Sequence, residues 1–339
     1  MMLGRFLTFA VLGAVASACS SDPATFPDPA GAGAGTSSTG QNTGGSGGTG
    51  GAGGMPSTTT TSSTTTGSGG ESPCAIFPED NWWNTDISTA PVDPLSDQYL
   101  ASIGLDAPLH PDFGTDRGIP HVTVDGSVSK SAVTFLYASE SDPGPYPIPM
   151  SPPTDSDGRI LMVHQDECVL YELLGAAFTP PWEAQSGAIW DLKTNSTRPP
   201  GWTSADSAGL PIYPGLARHE EAVVVGEIRH ALRFTTQPTQ RAYAFPANHF
   251  ASADTNPNLP PMGLRLRLRP EVDITGFPPE VQVILTALKK YGMFLAGNGG
   301  DLYVSGAPDP GWNDTNLQTM EQLSGSDFEA IETGPLTTN

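Results

Sequence analysis

The chain has 339 residues, with 36 acidic side chains against 15 basic ones and a formal charge of −21. Charged residues make up 15% of it, while 39 glycines and 34 prolines occupy more than a fifth. The acidity argues against nucleic acid as a partner, because phosphate binding needs clustered lysine and arginine. So much glycine and proline predicts short strands and many turns rather than a helical bundle.

The N-terminus has the pattern of a secretory signal. Arg5 precedes an apolar run over 6–16 that is too short to span a bilayer, and two small residues and Cys19 follow. This ending resembles a bacterial lipobox. The resemblance implies cleavage before Cys19, lipidation of its thiol, and an extracytoplasmic protein anchored at the outer membrane or cell surface. Ordinary signal cleavage, which would leave Cys19 as a thiol, is the alternative.

Composition divides the chain into a signal peptide over 1–18, a tether over 19–72 and a globular domain over 73–339. The stretch 31–70 contains no charged and no aromatic residue. It cannot bury enough apolar surface to offset the entropy of ordering. We therefore expect a disordered linker rich in glycine, serine and threonine, followed by a single β-rich domain.

Three cysteines bear on the compartment. If Cys19 is lipidated, Cys74 and Cys168 remain, an even number in an oxidising compartment, which predicts a disulfide between them. Two buried unpaired thiols are the alternative. Neither cysteine has a second cysteine nearby at metal-ligand spacing, so we expect no zinc site.

Short apolar segments bounded by turn residues predict many strands and few helices. The predicted strands cover 119–124, 132–137, 160–164, 168–173, 188–192, 222–234, 241–245, 264–269 and 302–305. Apolar residues at helical spacing predict one good helix over 279–295, ending near Gly297, and shorter helices over 94–103 and 314–323. Strict alternation of leucine and arginine over 264–269 predicts a strand with one leucine face and one arginine face.

This pattern predicts a mainly β fold, a single antiparallel β-sandwich or jelly-roll-like domain with a few peripheral helices. No glycine-rich phosphate loop follows a predicted strand, so we expect neither a nucleotide partner nor a nucleotide cofactor.

Six phrases of the domain together carry a family resemblance. They are Phe77–Asn84, Leu109–Gly114, Glu140–Pro149, Gly201–Asp206, Gly226–Phe234 and Ser305–Asp309. In these phrases the chain resembles a family of secreted actinobacterial and myxobacterial proteins. The resemblance covers nearly the whole domain and implies export, and it brings no catalytic residues with it.

Carboxylates near tryptophans are the first candidates for catalysis. Paired carboxylates on a sheet cut glycosidic bonds, and indole rings stack on sugars. If 222–234 is one strand, Glu227 shares a face with Arg229 and Arg233, and Glu227 is the first candidate. Asp191 and Asp206 are candidates for its partner, with the neighbouring Trp190 and Trp202 as substrate-binding rings. A surface ion pair for Glu227 and a capping role for Asp206 are the structural alternatives.

Histidines and arginines are the second set of candidates. His230 and His249 are candidates for a catalytic base, although a core histidine and a loop histidine are the alternative interpretations. Arginines can bind carboxylates bidentately, and two predicted strands carry several that are candidates for binding an anionic substrate. They are Arg229, Arg233, Arg265 and Arg267.

The sequence thus favours a lipid-anchored protein that acts on polysaccharide, most simply as a glycoside hydrolase without a cofactor. A non-catalytic carbohydrate-binding protein and a lyase on a uronic-acid polymer are the alternatives. The lyase would need Arg265 or Arg233 beside a tyrosine or histidine base in one groove. The motif Asp155-Ser156-Asp157-Gly158 has part of the spacing of a calcium loop but lacks its closing acid, and a turn is the simpler interpretation.

Overall fold

The computed structural model describes residues 74–178 and 181–338. The predicted signal peptide, Cys19 with its predicted lipidation, and the predicted tether lie outside these residues. The described residues all belong to one compact unit. Within them, no helix is both long enough and apolar enough to cross a membrane.

Short strands dominate the described residues, which confirms a mainly β chain. The strands are β1 His110–Asp112, β2 His121–Val124, β3 Val133–Phe135, β4 Ile160–His164, β5 Val169–Leu174, β6 Ala177–Phe178, β7 Trp182–Ala184, β8 Ser186–Asp191, β9 Leu232–Thr236, β10 Tyr243–Ala244, β11 Arg265–Leu268, β12 Met293–Asn298, β13 Tyr303–Ser305, β14 Phe328–Ala330 and β15 Leu336–Thr337. The α-helices are α1 Ser96–Ile103, α2 Pro279–Lys290 and α3 Asp314–Gln318, and a π-helix covers Glu220–Val225.

The largest sheet has six strands in the order β1-β13-β9-β12-β11-β14. Two of its pairs, β1 with β13 and β9 with β12, are parallel, and the other three are antiparallel. The expectation of a purely antiparallel sheet is therefore wrong. Parallel neighbours need a long crossover, and here the connection from β9 to β12 includes β10, β11 and α2.

Three smaller sheets complete the described architecture. Their orders are β2-β4-β5-β8, β3-β7-β6 and β10-β15, and they too include parallel pairs. The strand pairings give four separate sheets, so the sandwich or jelly-roll arrangement stays a prediction.

The main core lies between the six-stranded sheet and two helices. Helix α2 packs against β11 and α1 against β14. The apolar face of α2 includes Ile284 and Leu288, and it joins Leu266 and Leu268 of β11 in one buried cluster. Burial of such side chains stabilises the fold by roughly 1.5–3 kcal/mol each, so this cluster fixes the sheet that carries the site described below.

Two glycines explain where the sequence prediction fails. The predicted strand over 222–234 is wrong because a π-helix ends at Gly226 (φ 77°) and β9 begins only at Leu232. The predicted helix over 279–295 is too long because Gly292 (φ 68°) turns the chain into β12. A Cβ atom at Gly292 would lie 2.3 Å from the carbonyl oxygen of Leu266, so only glycine fits this turn.

The predicted disulfide is confirmed. Cys74 and Cys168 are bonded, with their Cα atoms 5.4 Å apart and 94 positions apart in the chain. The bond ties the start of the described residues to the turn before β5. It therefore joins the N-terminal segment to the four-stranded sheet.

Candidate functional site

A polar cleft of about 1050 Å³ opens on the six-stranded sheet. Its floor includes side chains from three adjacent strands, β1, β13 and β9, and its walls come from loops on both sides. Its volume is at the upper end of the range for small-molecule and cofactor pockets. It gathers charged, polar and aromatic side chains in one place, which makes it the candidate site.

The floor is a row of three polar residues across adjacent strands. Asp112 of β1 lies opposite Ser305 of β13 in the parallel register. The Ser305 Oγ accepts a hydrogen bond from Nη1 of Arg233 on β9 at 2.8 Å. Because paired residues of neighbouring strands project from the same face, Asp112, Ser305 and Arg233 all line the cleft.

Arg233 is anchored from behind by Asp206. Its Nη2 donates to Asp206 Oδ2 at 2.6 Å, and the backbone N–H of Ala208 donates to Asp206 Oδ1 at 2.8 Å. The Asp206 side chain is 0% exposed. Burial raises the pKa of its carboxyl, and the Arg233 guanidinium opposes that rise. The pair is a closed structural unit at the cleft floor, because both Asp206 oxygens already accept hydrogen bonds.

The wall beside the floor carries a second arginine. Arg159 donates from Nη1 to Asp155 Oδ2 at 2.7 Å, and its Nη2 lies 2.8 Å from Asp157 Oδ2. Burial alone would lower the pKa of Arg159, but these two carboxylates raise it. The guanidinium of Arg159 therefore pairs with Asp155 and Asp157, the two acids of the motif that has part of the spacing of a calcium loop. In the described residues no group of three or more His, Cys, Asp or Glu is arranged to hold a metal ion.

Asp112 differs from these paired acids. Its side chain is open to the cleft, and the described residues include no ion-pair partner for it. Partial burial by the cleft walls raises the pKa of the Asp112 carboxyl above its usual range, while His110, Arg117 and Arg233 oppose that rise. A carboxyl in this setting keeps its proton to a higher pH than an ordinary aspartate does.

Aromatic and polar side chains complete the lining. Tyr137 projects from the rim with 49% of its surface exposed. Tyr303 lies on the floor strand β13, with its ring 4.2 Å from that of His110. Glu140 accepts a hydrogen bond at Oε2 from the backbone N–H of Thr203 at 3.3 Å. The cleft therefore offers rings and carboxylates together.

Three of the residues singled out from the sequence come together in this cleft, namely Asp206, Arg233 and His249. His249 is held by its Nδ1, which lies 2.8 Å from the carbonyl oxygen of Ser207. The loop position expected for His249 is therefore the one that it occupies.

Glu227 and Arg229 lie elsewhere. They form an exposed ion pair, with Arg229 Nη2 2.7 Å from Glu227 Oε2. The expectation that they share a strand face with Arg233 is wrong, because neither residue is in a strand. Glu227 instead lines a smaller groove of about 400 Å³ beside helix α2.

The tryptophans and Asp191 do not line the cleft. Trp190 is buried, and its Nε1 donates to Glu172 Oε2 at 3.3 Å. The ring of Trp202 packs against the guanidinium of Arg198 at 5.4 Å. Asp191 is exposed at the end of β8, where its Oδ1 accepts from the backbone N–H of Lys193. The two tyrosines, rather than these indoles, are the rings at the cleft.

The alternating strand β11 buries both of its faces. Arg265 donates to the carbonyl oxygens of Tyr291 and Thr85. Arg267 donates to the carbonyls of Ile87 and Ala90 and pairs with Glu329 at 2.6 Å. Their donors are engaged by the protein itself, and neither side chain lines the cleft.

His230 is also engaged by the protein. Its Nδ1 lies 2.8 Å from the carbonyl oxygen of Ala231, and its Nε2 lies 2.9 Å from Arg218 Nη2 and 3.2 Å from Glu221 Oε2. Burial alone would raise the pKa of Glu221, but Arg218 and His230 hold it at about 2. This cluster is a buried polar network outside the cleft.

Comparisons of the chain with models of protein families, with curated proteins and with solved structures gave no significant match.

Proposed function

We propose that the cleft binds a glycan and hydrolyses a glycosidic bond, with Asp112 as the proton donor. The observation that most supports this is the position of the Asp112 carboxyl, which is open to the cleft and free of ion pairs among the described residues. A glycosidase acid must reach the leaving oxygen and must carry a proton at the working pH. The raised pKa of Asp112 favours the protonated form that such an acid needs.

Glu140 is the proposed partner carboxylate. It lines the cleft, and its Oε2 accepts a hydrogen bond from the backbone N–H of Thr203, which holds the carboxylate in place. Asp206, which the sequence suggested for this role, is closed to solvent and committed to Arg233. The distance between the two catalytic carboxyls decides the stereochemistry: about 5–5.5 Å favours retention and about 6.5–9.5 Å favours inversion.

The rest of the lining suits a sugar chain. Tyr137 and Tyr303 present rings on which pyranose faces can stack, while serines, threonines and amides supply hydrogen-bonding groups for hydroxyls. A mixture of rings and polar groups in an open cleft is typical of a site for a polymer.

We also propose that the protein acts outside the cytoplasm, anchored through a lipid on Cys19. The signal-like N-terminus supports this, and the Cys74–Cys168 disulfide is the kind of bond that persists in oxidising compartments. Cys19→Ser should move the protein from the membrane fraction to the soluble fraction. Retention in the membrane fraction would contradict the anchor.

A lyase acting on a uronic-acid polymer is the second candidate. Arg233 shares the cleft with Tyr303 and His249, and an arginine beside such a base was what this alternative required. Asp206 already neutralises Arg233, however, so little positive charge is left to bind a uronate. The hydrolase is therefore favoured, and a product that absorbs in the near ultraviolet would reverse this preference.

The test is reducing-end release from a panel of neutral, basic and acidic polysaccharides by the purified protein. Asp112→Asn should lower kcat by about 10²–10⁴-fold, the usual contribution of a positioned acid. Glu227→Gln is the matched control, because it removes one carboxylate charge outside the cleft. Equal activity of the Asp112→Asn variant and the wild type would remove Asp112 from the mechanism. Glycan binding without any cleavage would favour a carbohydrate-binding protein.

A further inference from the structure

The cleft is negatively charged overall. Its lining carries six carboxyl groups and three guanidiniums, which gives a formal charge of −3 with His249 neutral, or −2 when Asp112 carries its proton. The carboxyl groups are those of Asp112, Asp116, Glu140, Asp155, Asp157 and Asp206, and the guanidiniums are those of Arg117, Arg159 and Arg233. The whole chain adds a field of the same sign, because its formal charge is −21.

Most of the positive charge in the cleft is already paired with carboxylates of the protein. Arg159 lies between two aspartates, and Arg233 is paired with Asp206. Asp112, Asp116 and Glu140 have no ion pair among the described residues. Against these three acids the cleft holds only Arg117, whose Nε donates to the carbonyl oxygen of Phe113 at 3.2 Å.

A second observation at the same place points to a ligand. The Nε–H groups of Arg233 and Arg159 are buried and have no acceptor in the described residues. Arg233 is only 4% exposed, and both side chains line the cleft. A buried donor without an acceptor is unfavourable. An oxygen of a bound sugar is an acceptor of the kind that these two groups lack.

We propose that the substrate is a glycan with free amino groups, such as a glucosamine polymer, and that Asp116 contacts its ammonium groups. This inference rests on the glycan hydrolysis proposed above. With Asp112 carrying its proton and Glu140 serving as the partner carboxylate, Asp116 is the unpaired acid left to bind a cation. The sugar's hydroxyl and ring oxygens supply acceptors for the two arginines, and a uronate would add like charge to an acidic cleft.

Binding to three oligosaccharides of equal length tests this directly. The probes are oligomers of glucosamine, of N-acetylglucosamine and of galacturonate, titrated calorimetrically into Asp112→Asn protein so that turnover does not interfere. We expect the glucosamine oligomer to bind roughly tenfold more tightly than the N-acetylated one at low salt, and the preference to shrink at high salt.

Two further variants identify the residue responsible. Adding Asp116→Asn should weaken binding of the glucosamine oligomer by about two- to fivefold and leave the N-acetylated oligomer unaffected. Glu271→Gln is the matched control, because Glu271 is an exposed acid outside the cleft. An Asp116→Asn effect no larger than that of Glu271→Gln would overturn the role of Asp116.

The outcomes separate this inference from the proposed function. Equal or tighter binding of the N-acetylated or galacturonate oligomer would overturn the amino-sugar preference and leave glycan hydrolysis standing. Preferential glucosamine binding without reducing-end release by the wild type would support the preference and overturn the hydrolase. Neither binding nor cleavage of any oligomer would overturn both.

Discussion

Two halves of the six-stranded sheet use arginine in different ways. The open half, β1, β13 and β9, places Arg233 at the floor of the cleft, beside Ser305 and in front of Asp206. The covered half, β11 and β14, places Arg267 against Glu329 and under the carbonyls of a neighbouring segment. Both arginines are buried. What differs is the covering: chain segments close one half, whereas the other half opens into a cleft.

The comparison shows that an arginine-rich strand does not by itself mark a ligand site. Arg265 and Arg267 alternate with leucines in the most regular strand pattern of the sequence, yet they serve the fold. The nearest arginine before Arg233 in the sequence is Arg229, which lies outside β9. The free space in front of the side chain decides its role, and this depends on distant segments of the chain.

The largest effect should come from the covered half. Arg267→Met removes a guanidinium that pairs with buried Glu329 and satisfies two carbonyls, so it should lower the free energy of unfolding by about 3–5 kcal/mol. Urea unfolding measures this. Arg269→Met is the control, because Arg269 lies 3.7 Å from the same carboxyl but is partly exposed. If Arg267→Met lowered the free energy of unfolding no more than Arg269→Met does, burial would not make Arg267 more important for stability than Arg269.

Glu172 of β5 extends the comparison to a buried acid, which has no cationic partner in the described residues. Its oxygens accept from the N–H groups of Ile212, Tyr213 and the Trp190 indole, and burial raises its pKa to about 7. The folded state therefore binds more protons than the unfolded state between about pH 4.5 and 7. The free energy of unfolding should be highest below this window and should fall by about 3 kcal/mol across it.

Urea unfolding at several pH values tests this window. The Glu172→Gln variant should lack this part of the pH dependence, since its side chain does not titrate. If the free energy of unfolding changed with pH in the same way for the wild type and the variant, the pKa of Glu172 would be the same in the folded and unfolded states.

A smaller effect is expected in the open half. Arg117 is one of the cations that oppose the rise of the Asp112 pKa. An aspartic acid must carry its proton to act as a general acid, so activity should fall as the pH rises through that pKa. Arg117→Met should raise the pKa further and move the alkaline limb of kcat/KM to higher pH. An unmoved limb, or one shifted to lower pH, would contradict this assignment, and Arg269→Met is the control.

The sequence predicted the covered half better than the open half. Alternation over 264–269 located β11 of the covered half, because that signal is local. Cysteine counting predicted the disulfide, which lies outside both halves, because it depends only on residue type and number. The segment before β9 was misread, since a run of valines looks like a strand until a left-handed glycine, Gly226, ends a π-helix there. Parallel pairing was missed because it joins strands far apart in sequence.

The candidate site was predicted only in part. Asp206, Arg233 and His249 were named from the sequence and line one cleft. Asp112 was not named as a candidate, because it ends a three-residue strand beginning His110-Pro111 that has no periodic signal of its own. Its only signal was its place in the phrase Leu109–Gly114 of the family resemblance. What makes it distinctive is its neighbours on β9 and β13, which lie well over a hundred residues further along the chain.

The most direct test of the central claim compares two substrates that differ in leaving group. The catalytic acid is needed for a sugar alcohol, which is a poor leaving group, and hardly at all for a nitrophenolate. With Asp112 as that acid, Asp112→Asn should lose about 10²–10⁴-fold in kcat/KM on an oligosaccharide and little on the nitrophenyl glycoside. Equal losses on both substrates would contradict proton donation by Asp112.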